Sequence, residues 1–447
     1  MSKKSKCCGC SACVCICESK AISLKADEQG FDYPVIDKKS CTSCGRCASV
    51  CAFRFREREE KLQREQPAVG IINLQFTDNY GAVIAASMLE RAVRETVDKN
   101  IRVETLYYSH PTPPRNILAF HLDKMKDGEM TLLQYIKSRL IPQPNNKSLV
   151  EIERRRHQKF QLFRDSFLTL TERRNNQALD SCEQNYIALI AGSDVIWQPK
   201  RILSVRSKAF LLDFGQDSTR RIAYAPSIDS SDKKLLKKCK KIFKEHLKSF
   251  DFLSVREEQG RAFLQPLTDK EIKLCCDPAL LYGAAAYSEM IEKSSVKCEE
   301  GFVYAYVLGD NIEAVKYAER LAREKGLKLC LYAPKIKCSS DYIDCICDGP
   351  SEFLYRLKNA KYVVTTSFHC VVFSVMFCRP FLAFVRGASS IKIPSLLKEL
   401  EISDRIAVGS DEADIDAAQI DFERANARLK EMGADSWSYI RNALSGL

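Results

Sequence analysis

Residues 68–95 read AVGIINLQFTDNYGAVIAASMLERAVRE. The apolar run from Ala68 to Phe76 predicts a strand, Thr77 to Gly81 a loop, Ala82 to Glu95 a helix, and Ile101 to Tyr107 the next strand. A strand, a short loop, a helix and a second strand make the repeating unit of an α/β domain with a mainly parallel sheet. The alternation continues downstream. Strands are expected at Tyr186 to Ala191, Ile222 to Tyr224, Phe252 to Val255 and Ile272 to Cys275, followed by a connection over Asp277 to Glu300. A second α/β unit then starts with a strand at Gly301 to Val307 and a helix at Ile312 to Lys325. Strands at Leu327 to Tyr332 and Tyr362 to Thr365 come next, and a helical tail at Asp414 to Leu447 closes the chain. Between the first two strands and the rest lies a less regular insertion from His110 to Asn146, leading into a basic helix near Glu151 to Phe167.

Upstream of this pattern the composition changes. Ten of the first 51 residues are cysteine. Eight of them write one pattern twice: Cys7, Cys10, Cys13, Cys17, then Cys41, Cys44, Cys47, Cys51. This C-x2-C-x2-C-x3-C run resembles the ligand run of a two-cluster bacterial ferredoxin, in which the fourth cysteine of each run serves the other cluster. The resemblance implies two 4Fe-4S clusters, one on Cys7, Cys10, Cys13 and Cys51, the other on Cys41, Cys44, Cys47 and Cys17. Two-residue spacers let the backbone curl so that three thiolates converge on one face of a cube, and the fourth arrives from elsewhere. Zinc and disulfides are the competing readings. Zinc does not call for the third cysteine and the x3 step. Disulfide frameworks belong to secreted chains, whereas this one opens Met-Ser-Lys-Lys-Ser-Lys without an apolar segment behind the charges. Glu18 and Ala52 stand where the ferredoxin run normally has proline, and Cys8 and Cys15 are surplus. Phe53 to Gln66 reads as a linker or exposed helix.

At 447 residues the chain is too long for one core. The expected domains are 1–66 for the cysteine module and linker, 67–280, and 281–447. Hydrophobic and charged fractions of 45% and 28% suit a globular protein. The longest uncharged apolar stretch, Cys370 to Cys378, falls far short of a membrane span. With 21 cysteines and an iron-sulfur pattern, the expected location is a reducing cytoplasm. The formal charge of +11 collects in runs, the densest being Lys233, Lys234, Lys237, Lys238, Lys240 and Lys241. These alternate with Leu235, Leu236, Cys239, Ile242 and Phe243 at helical spacing, so the run reads as a helix with a solvated basic face and not as a nucleic-acid site. An attraction for a phosphorylated substrate or an anionic membrane face stays open.

In open α/β sheets ligands collect at the carboxyl ends of strands, beside helix N-termini that favour anions. The residues at those ends are therefore the candidates. Asp78 and Asn79 follow the first strand, Ser193 and Asp194 a later one, Arg256 ends a third, and Ser367 and His369 follow Tyr362 to Thr365. His369 is suited to acid or base catalysis, the alternative being a structural histidine. Arg256 is suited to bidentate capture of a phosphate or carboxylate, the alternative being an ion pair with a neighbouring glutamate. Asp194 reads as a polyhydroxyl contact or as a loop cap.

Taken in order, these segments resemble the polysaccharide pyruvyl transferase family. The matching motifs are Thr77-Asp78-Asn79-Tyr80-Gly81-Ala82, Gly192-Ser193-Asp194-Val195-Ile196-Trp197 and Ala223-Tyr224-Ala225-Pro226-Ser227. Ser254-Val255-Arg256-Glu257, Asp277-Pro278, Ser367-Phe368-His369, Arg379-Pro380-Phe381 and Ser395-Leu396-Leu397 complete the series across roughly 68–440. The resemblance implies two Rossmann-like domains in a GT-B-like arrangement, with a C-terminal helix that crosses back to the first. It also implies transfer of the enolpyruvyl unit of phosphoenolpyruvate to a saccharide acceptor. On this reading His369 and Arg256 are catalytic, while Asp78, Asn79, Ser193, Asp194, Ser367 and Lys392 bind substrate. Membrane contact would be at most peripheral, through a lipid-linked acceptor. The family commonly has glycine after the histidine; Cys370 stands there, where a side chain could narrow the phosphate pocket. The alternative reading is an iron-sulfur protein passing electrons to a redox partner or to a substrate in the α/β cleft. Two clusters predict about eight irons per chain, so metal analysis of anaerobically purified protein is the test, and zinc alone would remove the assignment.

Overall fold

The computed structural model describes residues 7–27, 30–51, 66–108, 147–180, 185–204, 207–228, 232–297, 301–336, 338–385, 392–407, 409–417 and 419–447. Ala52, the linker expected from Phe53 and the insertion expected from His110 to Asn146 lie outside them. The described residues fall into two compact units, one of residues up to Pro67 together with Asn185, the other of the remainder from Ala68 on.

The first unit is small. Strands β1 (Ile22–Ala26) and β2 (Asp32–Ile36) pair antiparallel, Ile22 opposite Ile36 and Ala26 opposite Asp32. Each cysteine run carries one helical turn, Ala12–Cys15 and Arg46–Ser49. The two runs share a backbone device. Gly9 and Ser11, which flank Cys10, have φ of 66° and 62°, and Ser43 and Gly45, which flank Cys44, have φ of 55° and 75°. Left-handed residues on both sides of the middle cysteine turn the chain sharply around its thiol, at a cost that serine bears and glycine does not.

The second unit contains two six-stranded sheets whose strands, among the described residues, pair in parallel. The first sheet comprises β3 (Ala68–Ile72), β4 (Arg102–Thr105), β5 (Tyr186–Asp194), β6 (Arg220–Pro226), β7 (Phe252–Val255) and β8 (Ile272–Leu274), in the order β4-β3-β5-β6-β7-β8. The second comprises β9 (Phe302–Tyr306), β10 (Lys328–Tyr332), β11 (Ile343–Asp344), β12 (Tyr362–Thr365), β13 (Phe381–Phe384) and β14 (Ile406–Ala407), in the order β11-β10-β9-β12-β13-β14. Numbered within its own sheet, the second reads 3-2-1-4-5-6, the dinucleotide-fold order, and the first is a 2-1-3-4-5-6 variant. Both are Rossmann-like. Strands covered by helices on both faces must be apolar on both faces, and every residue of β3, β9 and β13 is buried.

The connection after Asp277 folds into short helical turns, Pro278–Leu280, Ala284–Tyr287 and Ser288–Glu292. The last helix, Phe422–Leu444, returns to the first sheet. Asn426 donates to the Val375 carbonyl near its start, Trp437 Nε1 to that of Leu281, and the Tyr439 hydroxyl to that of Ala223. Among the described residues no helix is long and apolar enough to cross a membrane.

One side chain fastens the two sheets to each other. Tyr80, at the start of the Tyr80–Thr96 helix after β3, is 1% exposed. Its ring lies parallel to Phe353 of the Pro350–Asn359 helix, 4.8 Å between centroids, and its hydroxyl donates to the Asp348 carbonyl at 2.7 Å. Phe160 stacks on it at 5.1 Å and Tyr306 meets it edge-on. Truncating such a ring removes burial and leaves a hole, so Tyr80→Ala should cost about 3–5 kcal/mol. Tyr80→Phe, which strands only the Asp348 carbonyl, should cost about 1–2 kcal/mol. Denaturant unfolding followed by tryptophan fluorescence measures both.

Candidate functional site

The strand ends of both sheets open on a shared cavity of about 370 Å³. Two helices begin at its wall, and a lysine from a third reaches it. Asn79, Tyr80 and Gly81 start the Tyr80–Thr96 helix and Ser367, Phe368 and His369 the Phe368–Met376 helix, while Lys392 and Ile393 belong to the Lys392–Glu399 helix. The leading N–H groups of a helix lack intrahelical acceptors and carry the positive end of its dipole, so two such ends at one hollow favour an anion. Asn79 caps the first helix, its side chain accepting from the Ala82 N–H at 3.2 Å. The Ser367 hydroxyl makes no such cap on the second.

At one wall lies a chain of charges. Asp277, fully buried just after β8, accepts from Arg256 Nη1 through Oδ2 at 2.6 Å, and the same oxygen lies 3.5 Å from His369 Nε2. Its Oδ1 accepts from the Ala279 N–H at 3.1 Å. Arg256 Nε donates to Glu257 Oε1 at 2.8 Å, an oxygen that also accepts from the Ser227 hydroxyl and lies 3.9 Å from Lys392 Nζ. Burial alone would push the Asp277 carboxyl up. The nearby His369 ring, the Arg256 guanidinium and the Ala279 N–H outweigh it and hold the carboxyl well below the usual carboxylate range. Arg256 is likewise buried, yet Glu257, Asp277 and Asp194 keep its guanidinium charged.

Gly81 packs directly on the imidazole. A Cβ there would stand 2.0 Å from His369 Nδ1 and 2.4 Å from its Cγ, so any side chain at 81 displaces the ring.

The candidates read from the sequence separate into two groups. His369, Arg256, Asn79, Asp194, Ser367 and Lys392 line the cavity. Asp78 does not. Its carboxylate is taken by Arg164 Nη2 at 2.7 Å and His157 Nδ1 at 3.0 Å, both on the Lys147–Phe167 helix, while Arg156 donates to its carbonyl. The Ser193 hydroxyl, buried, donates to the Ala225 carbonyl. Cys370 points into the core and leaves the cavity wall alone, its thiol pushed up to about 12 by burial. Asp277 and Glu257 were visible in the sequence only as members of quoted motifs. The rule that picked out Arg256 and His369, a polar residue directly after an apolar strand, also finds Asp277, two residues beyond Cys275.

In the first unit the cysteines suit iron in chemistry. Burial raises the Cys13 thiol, and the proximity of Cys10 and Cys51 raises it further. The last cysteine of the second run thus lies near the first run. Arg46 of the second run pairs with Glu18, the residue in the usual proline position of the first. Among the described residues no group of three or more His, Cys, Asp or Glu side chains is drawn together tightly enough to hold a metal ion.

Two family profiles match the chain: polysaccharide pyruvyl transferase over residues 79–387, and the 4Fe-4S dicluster domain over residues 6–55. No curated protein matches it by sequence. Among solved structures, UDP-GlcNAc 2-epimerase from Methanocaldococcus jannaschii is similar at 11% identity and a TM-score of 0.40, covering 81% of this chain and 92% of that one. A UDP-glucosyltransferase from Polygonum tinctorium is similar at 12% identity and a TM-score of 0.39, covering 85% and 97%. UDP-GlcNAc 2-epimerase from Neisseria meningitidis follows at 8% and 0.37, covering 85% and 94%.

The depressed Asp277 carboxyl ties stability to pH. A carboxyl whose folded pKa lies below its unfolded value contributes stability that is present above the unfolded pKa and is lost as the pH falls through the folded one. Asp277→Asn should therefore be less stable than the parent at neutral pH, by about 3–5 kcal/mol for a broken buried pair. The gap should narrow below pH ~4, as paired denaturant titrations across that range will report.

Proposed function

The chain belongs to the polysaccharide pyruvyl transferase family, and from that premise we propose that it moves the enolpyruvyl unit of phosphoenolpyruvate onto two hydroxyls of a saccharide acceptor, releasing phosphate. The observation that carries this reading is the cavity itself, in which two helix N-termini, a lysine and a histidine held by a buried carboxylate meet. In the proposed reaction a proton adds to the donor's methylene carbon and makes a methyl group. The first acceptor hydroxyl bonds to the resulting oxocarbenium carbon and gives up its proton. The C–O bond to phosphate then breaks, the phosphate takes up a proton, and the second hydroxyl closes the ketal. Two hydroxyl protons are lost, one balanced at the methyl group and one at the phosphate.

His369 is the acid and base of this scheme, a role typically worth about 10²–10⁴ in rate. Asp277 positions its ring. Arg256, with Glu257 on Nε and Asp277 on Nη1, acts mainly by holding those two carboxylates in place. Lys392, Ser367 and the helix N-termini receive the donor's phosphate and carboxylate, and Asp194 and Asn79 face the acceptor. Asp78 and Ser193 support the loops that carry the cleft residues. The domains of this reading run 1–66, 67–280 and 281–447.

The N-terminal unit would hold two 4Fe-4S clusters on Cys7, Cys10, Cys13 and Cys51, and on Cys41, Cys44, Cys47 and Cys17. The repeated left-handed turns around Cys10 and Cys44, together with the nearness of Cys51 to Cys13, support that assignment. Such clusters supply one-electron transfer, which pyruvyl transfer does not require. They favour a reducing cytoplasm and leave room for a redox partner.

The test is phosphate release from phosphoenolpyruvate with candidate glycans, under anaerobic conditions, with and without dithionite. Release that ignores dithionite and is lost in His369→Ala is expected. Gly81→Ala should lower kcat by about 10² or more while the protein stays folded. Cluster reduction without release from any acceptor would replace the transferase reading with electron transfer.

A further inference from the structure

We propose that the solvent face of the Lys233–His246 helix docks the protein on an anionic membrane surface. Within these 14 residues stand seven lysines and one glutamate, so this one helix holds over half of the chain's net charge of +11. Lys233, Lys234, Lys237, Lys238, Lys240, Lys241 and Lys244 are all exposed, and Lys248 and Lys200, the latter on the adjoining Pro199–Ile202 turn, extend the patch. Among the described residues its ion pairs are loose, Lys241 to Glu245 at 4.0 Å and His246 to Asp213 at 3.9 Å. The charge is therefore directed at solvent.

The apolar face of the same helix is already used. Leu236, Cys239 and Phe243 are buried in the first Rossmann-like domain, where Phe243 meets Trp197 at 5.5 Å. With no apolar side left to insert, attachment must be electrostatic, reversible and sensitive to salt. The chemistry of the face favours lipid over nucleic acid. It contains no arginine to read bases or fork onto phosphates, and no exposed aromatic residue to stack on bases. Flexible lysines matched to mobile headgroups contribute about 1 kcal/mol each, or about fivefold in partitioning.

The place of the helix suits the proposed reaction, and this clause alone rests on it. Lys233 begins six residues after Ser227, whose hydroxyl donates to Glu257, the partner of cavity-lining Arg256, so docking brings the cleft beside a lipid-borne acceptor.

The experiment is sedimentation of the full-length, cluster-loaded protein with vesicles of phosphatidylcholine alone or with added phosphatidylglycerol; it needs no enzyme activity. Binding to the anionic vesicles only is expected, with release at ~1 M salt, where the Debye length is about 3 Å. A variant carrying Lys234→Gln, Lys237→Gln, Lys241→Gln and Lys244→Gln should lose several hundredfold in partitioning, at about fivefold per lysine, and the same four positions as arginine should retain binding. No binding at low salt, equal binding by the glutamine variant, or loss of binding in the arginine variant overturns the proposal. So does a duplex DNA competitor that strips the protein from the vesicles, an outcome that would assign the face to nucleic acid.

Discussion

A carboxylate with no access to water is stable only between partners that keep it charged, and Asp277 is such a group. Its two oxygens meet Arg256 from the end of β7, His369 from a helix after β12 of the other sheet, and the N–H of Ala279 beyond it. The carboxylate therefore couples the strand ends of both sheets. The site is not a set of side chains added to a finished scaffold. A single buried charge requires both scaffolds to meet there.

The loop after β3 makes the meeting possible with consecutive residues in different physical roles. Asp78 is tied to the Lys147–Phe167 helix through Arg164 and His157. Asn79 caps the next helix, worth about 1 kcal/mol at such positions. Tyr80 fills a slot among Phe353, Phe160 and Tyr306, and Gly81 leaves the gap into which His369 fits. Large and absent side chains stand next to each other because one locks the domains while the other admits the imidazole. A tyrosine at 81 or a glycine at 80 would undo both.

Much of this architecture could be read from the sequence because parallel strands buried on both faces leave an unmistakable apolar run. Phe252–Val255, Ile312–Lys325 and Tyr362–Thr365 have the expected limits. β5 runs on to Asp194, and the Tyr80–Thr96 helix starts two residues before its expected position. Tyr80 and Gly81 look like loop residues in isolation, and only tertiary packing makes them helical. β13 was hidden because its four apolar residues follow an apolar helix, with only Phe377, Cys378, Arg379 and Pro380 between them. β11 and β14 are two residues each and carry no period at all. The site divided in the same way. Position after a strand pointed to His369 and Arg256 and reaches Asp277 as well, but the pairing of Asp277 with both and the loss of Asp78 to a remote helix depend on distances that no spacing encodes.

The charges of the cavity bear on how the proposed transfer would be catalysed. Asp194 in the lining, with Glu257 and Asp277 directly behind Arg256, sets three carboxylates against the fixed cations Arg256 and Lys392. Side chains alone thus give no excess of positive charge for an anionic donor. Attraction must come from the helix N-termini, whose partial charges do not titrate and whose geometry is fixed before the ligand arrives. Such a balance has a kinetic logic. A strongly cationic pocket would bind ground state and transition state alike and add little to the rate. A pocket whose cations are matched by carboxylates binds the donor moderately, while those carboxylates favour the positive charge that develops at the oxocarbenium carbon. More than half of the excess positive charge in this chain lies on the Lys233–His246 helix, outside the cavity, where it can steer or tether the protein without weighing on the chemistry.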